Sequence, residues 1–98
     1  MSVSEADIAF ALELFDPLGG LTVRKMFGGM CLYHDGTVFA LMSADGRLYL
    51  KAKEDVADDL ITEGGEQFHK MPYWSLPEDA LEDPETALDW AKRTLATL

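Results

Sequence analysis

The stretch Met30-Cys31-Leu32-Tyr33-His34-Asp35-Gly36-Thr37-Val38-Phe39-Ala40-Leu41-Met42-Ser43-Ala44-Asp45-Gly46-Arg47-Leu48-Tyr49-Leu50 decides the fold. Two Asp-Gly pairs, Asp35-Gly36 and Asp45-Gly46, separate runs of apolar and aromatic residues. Asp-Gly in that setting marks a tight hairpin, because a type I′ turn needs positive φ at both central positions. The stretch predicts an antiparallel meander. Two-residue loops at both turns set its register: Tyr33 against Val38, Leu32 against Phe39, Cys31 against Ala40, Leu41 against Leu50, and Met42 against Tyr49. Ala40 then lies against Lys51.

Side chains alternate along a strand, so this register sorts the meander into two faces. Met30, Leu32, Phe39, Leu41, Leu48 and Leu50 form an apolar face that helices should cover. Cys31, Tyr33, Val38, Ala40, Met42, Arg47, Tyr49, Lys51 and Lys53 form the other, apolar and aromatic in the middle and basic along the third strand.

Outward from the meander, Ser4-Glu5-Ala6-Asp7 reads as a helix start with acid in the first turn. Ile8, Ala11, Leu12 and Phe15 follow at helical spacing, and Asp16-Pro17 with Gly19-Gly20 ends the helix. Strand pattern runs from Thr22 to Ala52, with Gly28-Gly29 read as a kink or bulge. Glu54 to Glu63 reads as a short acidic helix with Val56, Leu60 and Ile61 inward and Gly64-Gly65 as its stop. Glu66–Lys70 and Tyr73–Leu76 are expected to be extended. Asp83-Pro84-Glu85 opens a last helix, with proline at its first position, whose stripe is Ala87, Leu88, Ala91, Leu95 and Leu98. The order is α-β-β-β-α-β-β-α, an α+β class: one antiparallel sheet with helices on one face, in two layers.

The chain has 98 residues, 48% of them hydrophobic and 27% charged, which describes one globular domain over residues 1–98. Its 8 Lys and Arg stand against 18 Asp and Glu, a formal charge of −10. That balance argues against direct nucleic-acid binding, which rests on cations meeting phosphates, and against anionic membrane surfaces. The charge is uneven. Residues 21–53 hold Arg24, Lys25, Arg47, Lys51 and Lys53 against only Asp35 and Asp45, so a +3 segment sits inside an acidic chain. No apolar run nears the roughly 20 residues of a membrane span, and the first residues lack a signal-peptide pattern. A cytoplasmic location is expected.

Candidates for chemistry are sparse. The single cysteine, Cys31, leaves no internal disulfide and no multi-cysteine zinc site. Cys31 and His34 are three apart on a strand and point to opposite faces, so they form neither a metal pair nor a nucleophile–base pair. His69 is isolated, and no carboxylate pair stands out. Gly28-Gly29 lacks the further glycines and following helix of a phosphate loop. No catalytic residue, metal or cofactor is expected. The aromatic-basic face instead fits a contact surface for another protein or for a second copy, since Tyr, Met and Arg are enriched in such surfaces.

The run Val23-Arg24-Lys25-Met26-Phe27-Gly28-Gly29-Met30-Cys31-Leu32-Tyr33, with Asp35-Gly36, Phe39-Ala40-Leu41 and Leu48-Tyr49-Leu50-Lys51, resembles the N-terminal domain of the TfoX/Sxy competence regulators. Met71-Pro72-Tyr73-Trp74, Pro77-Glu78 and the Asp-Pro-Glu helix start are similar to that domain's second half. The resemblance spans roughly residues 7–97 and implies a secretion-chaperone-like two-layer fold and a bacterial source. It also implies a role beside transcription machinery, in promoting DNA-uptake genes with a cyclic-AMP-dependent activator. The chain reads as a stand-alone copy, without the helical second domain of full-length members. Cys31 stands where that family suggests glycine. The expectation is thus a non-enzymatic regulatory interaction domain. Its binding residues are Arg24, Lys25, Phe27, Tyr33, Arg47, Tyr49 and Lys51, and Met26, Gly28 and Gly29 supply the structural motif. The alternatives are a chaperone-like dimer that holds a client segment, and a small-ligand binder or enzyme using Cys31, Tyr33 or His69.

Overall fold

The computed structural model of the protein describes residues 2–98. Helix α1 (Glu5–Leu14) begins at a reciprocal capping box. The Asp7 backbone N–H donates to Ser4 Oγ and the Ser4 N–H to Asp7 Oδ2, both at 3.1 Å, so two otherwise orphaned donors are satisfied. A 3-10 turn (Asp16–Leu18) built on Pro17 then leads to Gly19 and Gly20, both at positive φ.

Strands β1 (Leu21–Met26), β2 (Gly29–His34), β3 (Thr37–Met42) and β4 (Leu48–Leu50) follow as an antiparallel meander. Helix α2 (Glu54–Thr62) comes next, then β5 (Trp74–Ser75), α3 (Glu78–Glu82) and α4 (Pro84–Leu95). The five strands lie in chain order, β1-β2-β3-β4-β5, each antiparallel to its neighbour. The α+β class and the succession of helix, strands, helix, strands and helix are as the sequence indicates. The segment before β5 contributes a single bridge, Gln67 to Trp74. α3, one short turn between Pro77 and Asp83, has no strong signal in the sequence.

Three local features depart from the expected meander. The Gly28-Gly29 pair is not a bulge inside one long strand. Phe27 (φ 51) and Gly28 (φ 82) form a two-residue turn with both central residues left-handed, and Met26 pairs with Gly29 across it. Asp35 (φ 48) and Gly36 (φ 86) make the expected second turn of this kind. At the third turn only Gly46 has positive φ, and Ser43 N–H donates to Arg47 O at 2.9 Å, giving a three-residue loop, Ala44–Gly46. A type I turn completed by a left-handed glycine closes hairpins of this length. Finally, a bulge between Leu32 and Tyr33 on one side leaves Phe39 as the extra residue of β3.

The bulge and the longer loop shift the register by one. Leu32 faces Ala40, which faces Leu50; Cys31 faces Leu41, which faces Tyr49; Met42 lies between Met30 and Leu48. A shift of one residue exchanges faces. Ala40 and Met42 therefore join Met30, Leu32, Phe39, Leu48 and Leu50 in the core against α1, α2 and α4, and Leu41 moves to the outer face. Phe15 closes the core edge-on against Phe39, with centroids 5.3 Å apart. In α2, Val56 and Leu60 are buried but Ile61 is turned to solvent, contrary to the expected stripe. The Gly64-Gly65 stop is as expected: Gly65 N–H reaches back to Leu60 O and Gly64 is left-handed. In α4 the buried stripe is Ala87, Ala91 and Thr94; Leu98 is exposed. Among the described residues no helix is long and apolar enough to cross a membrane.

Candidate functional site

The outer sheet face is half covered. Residues 66–73 fold back across it as a strap, which lays Phe68 and Tyr73 over Leu41 and Tyr49 in a second, small apolar cluster. Tyr49 and Phe68 rings are 4.9 Å apart. Polar contacts fasten the strap: Glu66 N–H donates to Ser75 Oγ at 2.9 Å, and Ser75 N–H to Glu66 O at 2.9 Å. The Arg47 guanidinium pairs with Glu66 at 2.9 Å, touches Ser75 Oγ at 3.3 Å and lies over the Tyr49 ring. The Glu66 hydrogen bond raises the Arg47 pKa further above its already high value.

Arg47 and Tyr49 thus hold the strap. Tyr49 is 8% exposed and offers no surface to a partner. The other half of the face is open and holds most of the remaining sequence candidates, Lys25 excepted. Arg24 lies beside Cys31 on the β1–β2 pair, and Tyr33 lies one step along on the same face, paired with Val38. Burial pushes the Cys31 thiol above its ordinary value, and the nearby Arg24 and Lys51 charges pull it partly back. Lys51, just after β4, is within electrostatic reach of the same thiol. Lys25 stands next to Arg24 on β1 but on the opposite, helix-side face, and is exposed.

At the end of the open half, a groove of about 330 Å³ runs between the β1–β2 turn and the β3–β4 loop, walled by the strap. Its lining is apolar: Met26, Cys31 and Leu41 from the sheet, Phe27 from the turn, and Phe68, Met71 and Tyr73 from the strap. Cys31 Sγ rests 3.8 Å from Met26 Sδ. Phe27 is 101% exposed, and Met26 and Met71 are also partly in solvent around the groove's rim. Gly29 is obligatory in its floor, because a Cβ there would lie 2.4 Å from the Met42 carbonyl oxygen.

Residue-level reading of the sequence missed the strap. Phe68, Met71 and Tyr73 fall in a stretch with no periodicity, and the one signal, Met71-Pro72-Tyr73, marks a turn without saying what it covers. The histidines have local roles. His34 Nδ1–H donates to Gly19 O at 2.7 Å with Asp35 beside its other nitrogen, and the His69 ring packs against Phe68. Among the described residues no three of His, Cys, Asp and Glu converge as a metal site.

These elements define a two-layer α+β domain whose outer sheet face is closed at one end by a strap and open, cationic and apolar at the other. Residues 13–98 match the TfoX N-terminal domain, and the chain belongs to that family. No curated protein matches the chain.

Proposed function

We propose that the chain is a regulatory domain that works by docking a protein partner on the open half of its outer sheet face, without catalysing a reaction. The observation that carries this reading is Phe27: a fully exposed aromatic in a left-handed conformation, on the rim of an apolar groove. Leaving such a ring in water gains nothing for the fold, whereas aromatic and methionine side chains around a groove suit protein recognition. Arg24, Lys25 and Lys51 have no ion pair among the described residues, in a chain with 18 acids, so the partner's segment is acidic. Burial raises the Cys31 pKa and its thiol contacts Met26 rather than a base, an environment that does not activate a nucleophile and so supports a binding role over an enzymatic one. The analogy with the competence regulators supports a partner on the side of transcription control.

The test compares proteins retained from the native host by the wild-type chain with those retained by Phe27→Asp and Arg24→Glu. Both residues are exposed, so the fold should persist, as circular dichroism would verify. Loss of the same partner in both variants is expected; equal retention by all three chains would refute the reading. The groove's size and apolar lining favour one second reading, a small apolar ligand. Native mass spectrometry of the purified chain would show a bound small mass in that case.

A further inference from the structure

We propose that β1 is a strand-addition site for an extended, acidic segment of the partner; this rests on the docking reading above and specifies its geometry. β1 is an edge strand, hydrogen-bonded on one side only, to β2. The type I′ turn at Phe27-Gly28 fixes which backbone groups point which way. Met26, Arg24 and Thr22 face β2, and the pattern continues to Gly20, whose carbonyl accepts from Asp35 N–H at 3.0 Å. The N–H and C=O of Leu21, Val23 and Lys25 therefore point outward. None of these six groups has a protein partner among the described residues. The opposite edge is different: β5 is two residues long and is flanked by the strap through Gln67.

Six residues of open edge normally invite aggregation, and charge on the strand is one defence. Arg24 and Lys25 supply that charge, one on each face, and β1 contains no acid. The same pair selects an occupant. An added strand carrying two successive acids would set one against Arg24 on the outer face and one against Lys25 on the helix side, both at cross-strand distance. β-branched residues in the same strand would extend the partly exposed Leu21 and Val23 on the core side. A second copy of this chain fits less well, because pairing β1 with β1 brings four cations and no acid onto one ribbon, within two molecules of net charge −10 each.

The test uses the whole chain and a blocked octapeptide of alternating threonine and valine, interrupted by a central pair of glutamates. Amide exchange at Val23 and Lys25 should slow by about tenfold or more at saturating peptide, with little change at Arg24, which is already bonded to β2. N-methylating one alternate set of peptide residues should abolish the effect and methylating the other set should not, the period-two signature of strand pairing. Replacing the glutamate pair with lysines should also abolish it. The proposal fails if the acidic peptide gives no protection, if both methylated peptides behave alike, or if Val23 and Lys25 become protected on raising the chain concentration without peptide. Such a failure would leave the partner comparison with Phe27→Asp intact, so the two readings fall separately.

Discussion

At the scale of single residues, Phe27 shows how a side chain can be kept against the interest of the fold. A non-glycine residue in the left-handed region costs about 1–2 kcal/mol, and at 101% exposure Phe27 recovers none of it by burial. Asparagine tolerates that conformation and Asn-Gly is a favoured type I′ pair. Phe27→Asn should therefore raise stability by about 0.5–1 kcal/mol, a rise of several degrees in Tm for a domain this size. Scanning calorimetry would read it, and partner binding should fall in the same variant. Cys31 and Tyr73 make a second prediction. Burial raises both pKa values, with Cys31 and Tyr33 adding to the effect at Tyr73. Each is thus easier to deprotonate unfolded than folded. Their contribution is fully present below the ordinary thiol value of 9.0 and is lost as pH rises past it and then past the phenol's 10.0. Urea midpoints should decline on the alkaline side, and Cys31→Ser should flatten the first part of that decline; a midpoint that is constant to pH 11 (roughly one unit past the ordinary phenol value) would contradict it.

At the scale of elements, the strap converts an ordinary amphipathic sheet into one with a groove, and Ser75 is its fastening. Ser75 is 2% exposed, and its hydroxyl accepts from the Glu66 N–H and contacts the Arg47 guanidinium. Ser75→Ala leaves that N–H without its partner, which should cost about 1–3 kcal/mol. Hydrogen exchange should then show the amides of residues 66–73 opening well before the sheet. The same region marks the limit of what the sequence discloses. The Asp35-Gly36 turn, the Ser4 cap, the Gly64 stop and the Asp83-Pro84 start were legible because each rests on local backbone chemistry. The Phe27-Gly28 turn was hidden because phenylalanine gives no local signal for positive φ. Register was hidden because it depends on counting: one extra residue at Phe39 and one in the Ala44–Gly46 loop exchange Leu41 with Ala40 and Met42 between faces. Arg24, Tyr33 and Lys51 were identifiable as candidates from alternation and charge, whereas Phe27 came only with the motif that carries the family resemblance. Tyr49 and Arg47 carried the same signal, yet a strap some twenty residues further along the chain claims them.

At the scale of the whole molecule, charge works in two opposed ways, and salt separates them. The net charge of −10 sits on a body of 32 × 28 × 25 Å. At an ionic strength of about 0.01 M the screening length is ~30 Å, so every acid feels nearly every other; at about 0.1 M it falls to ~10 Å and only neighbours interact. The two arginine pairs, Arg47–Glu66 and Arg93–Asp59, are partly exposed and each contributes only about 0–1 kcal/mol, too little to offset the self-repulsion. Added salt should therefore stabilise the folded chain. Docking should respond with the opposite sign, because an acidic segment is drawn to Arg24, Lys25 and Lys51 by attraction that the same ions screen. Over that range of salt, Tm should rise while the affinity for the acidic octapeptide falls, and Lys25→Gln should weaken the salt dependence of affinity without reversing that of Tm. Affinity that rises with salt would mean that repulsion from the chain's net charge of −10, and not the cations of β1, governs recognition.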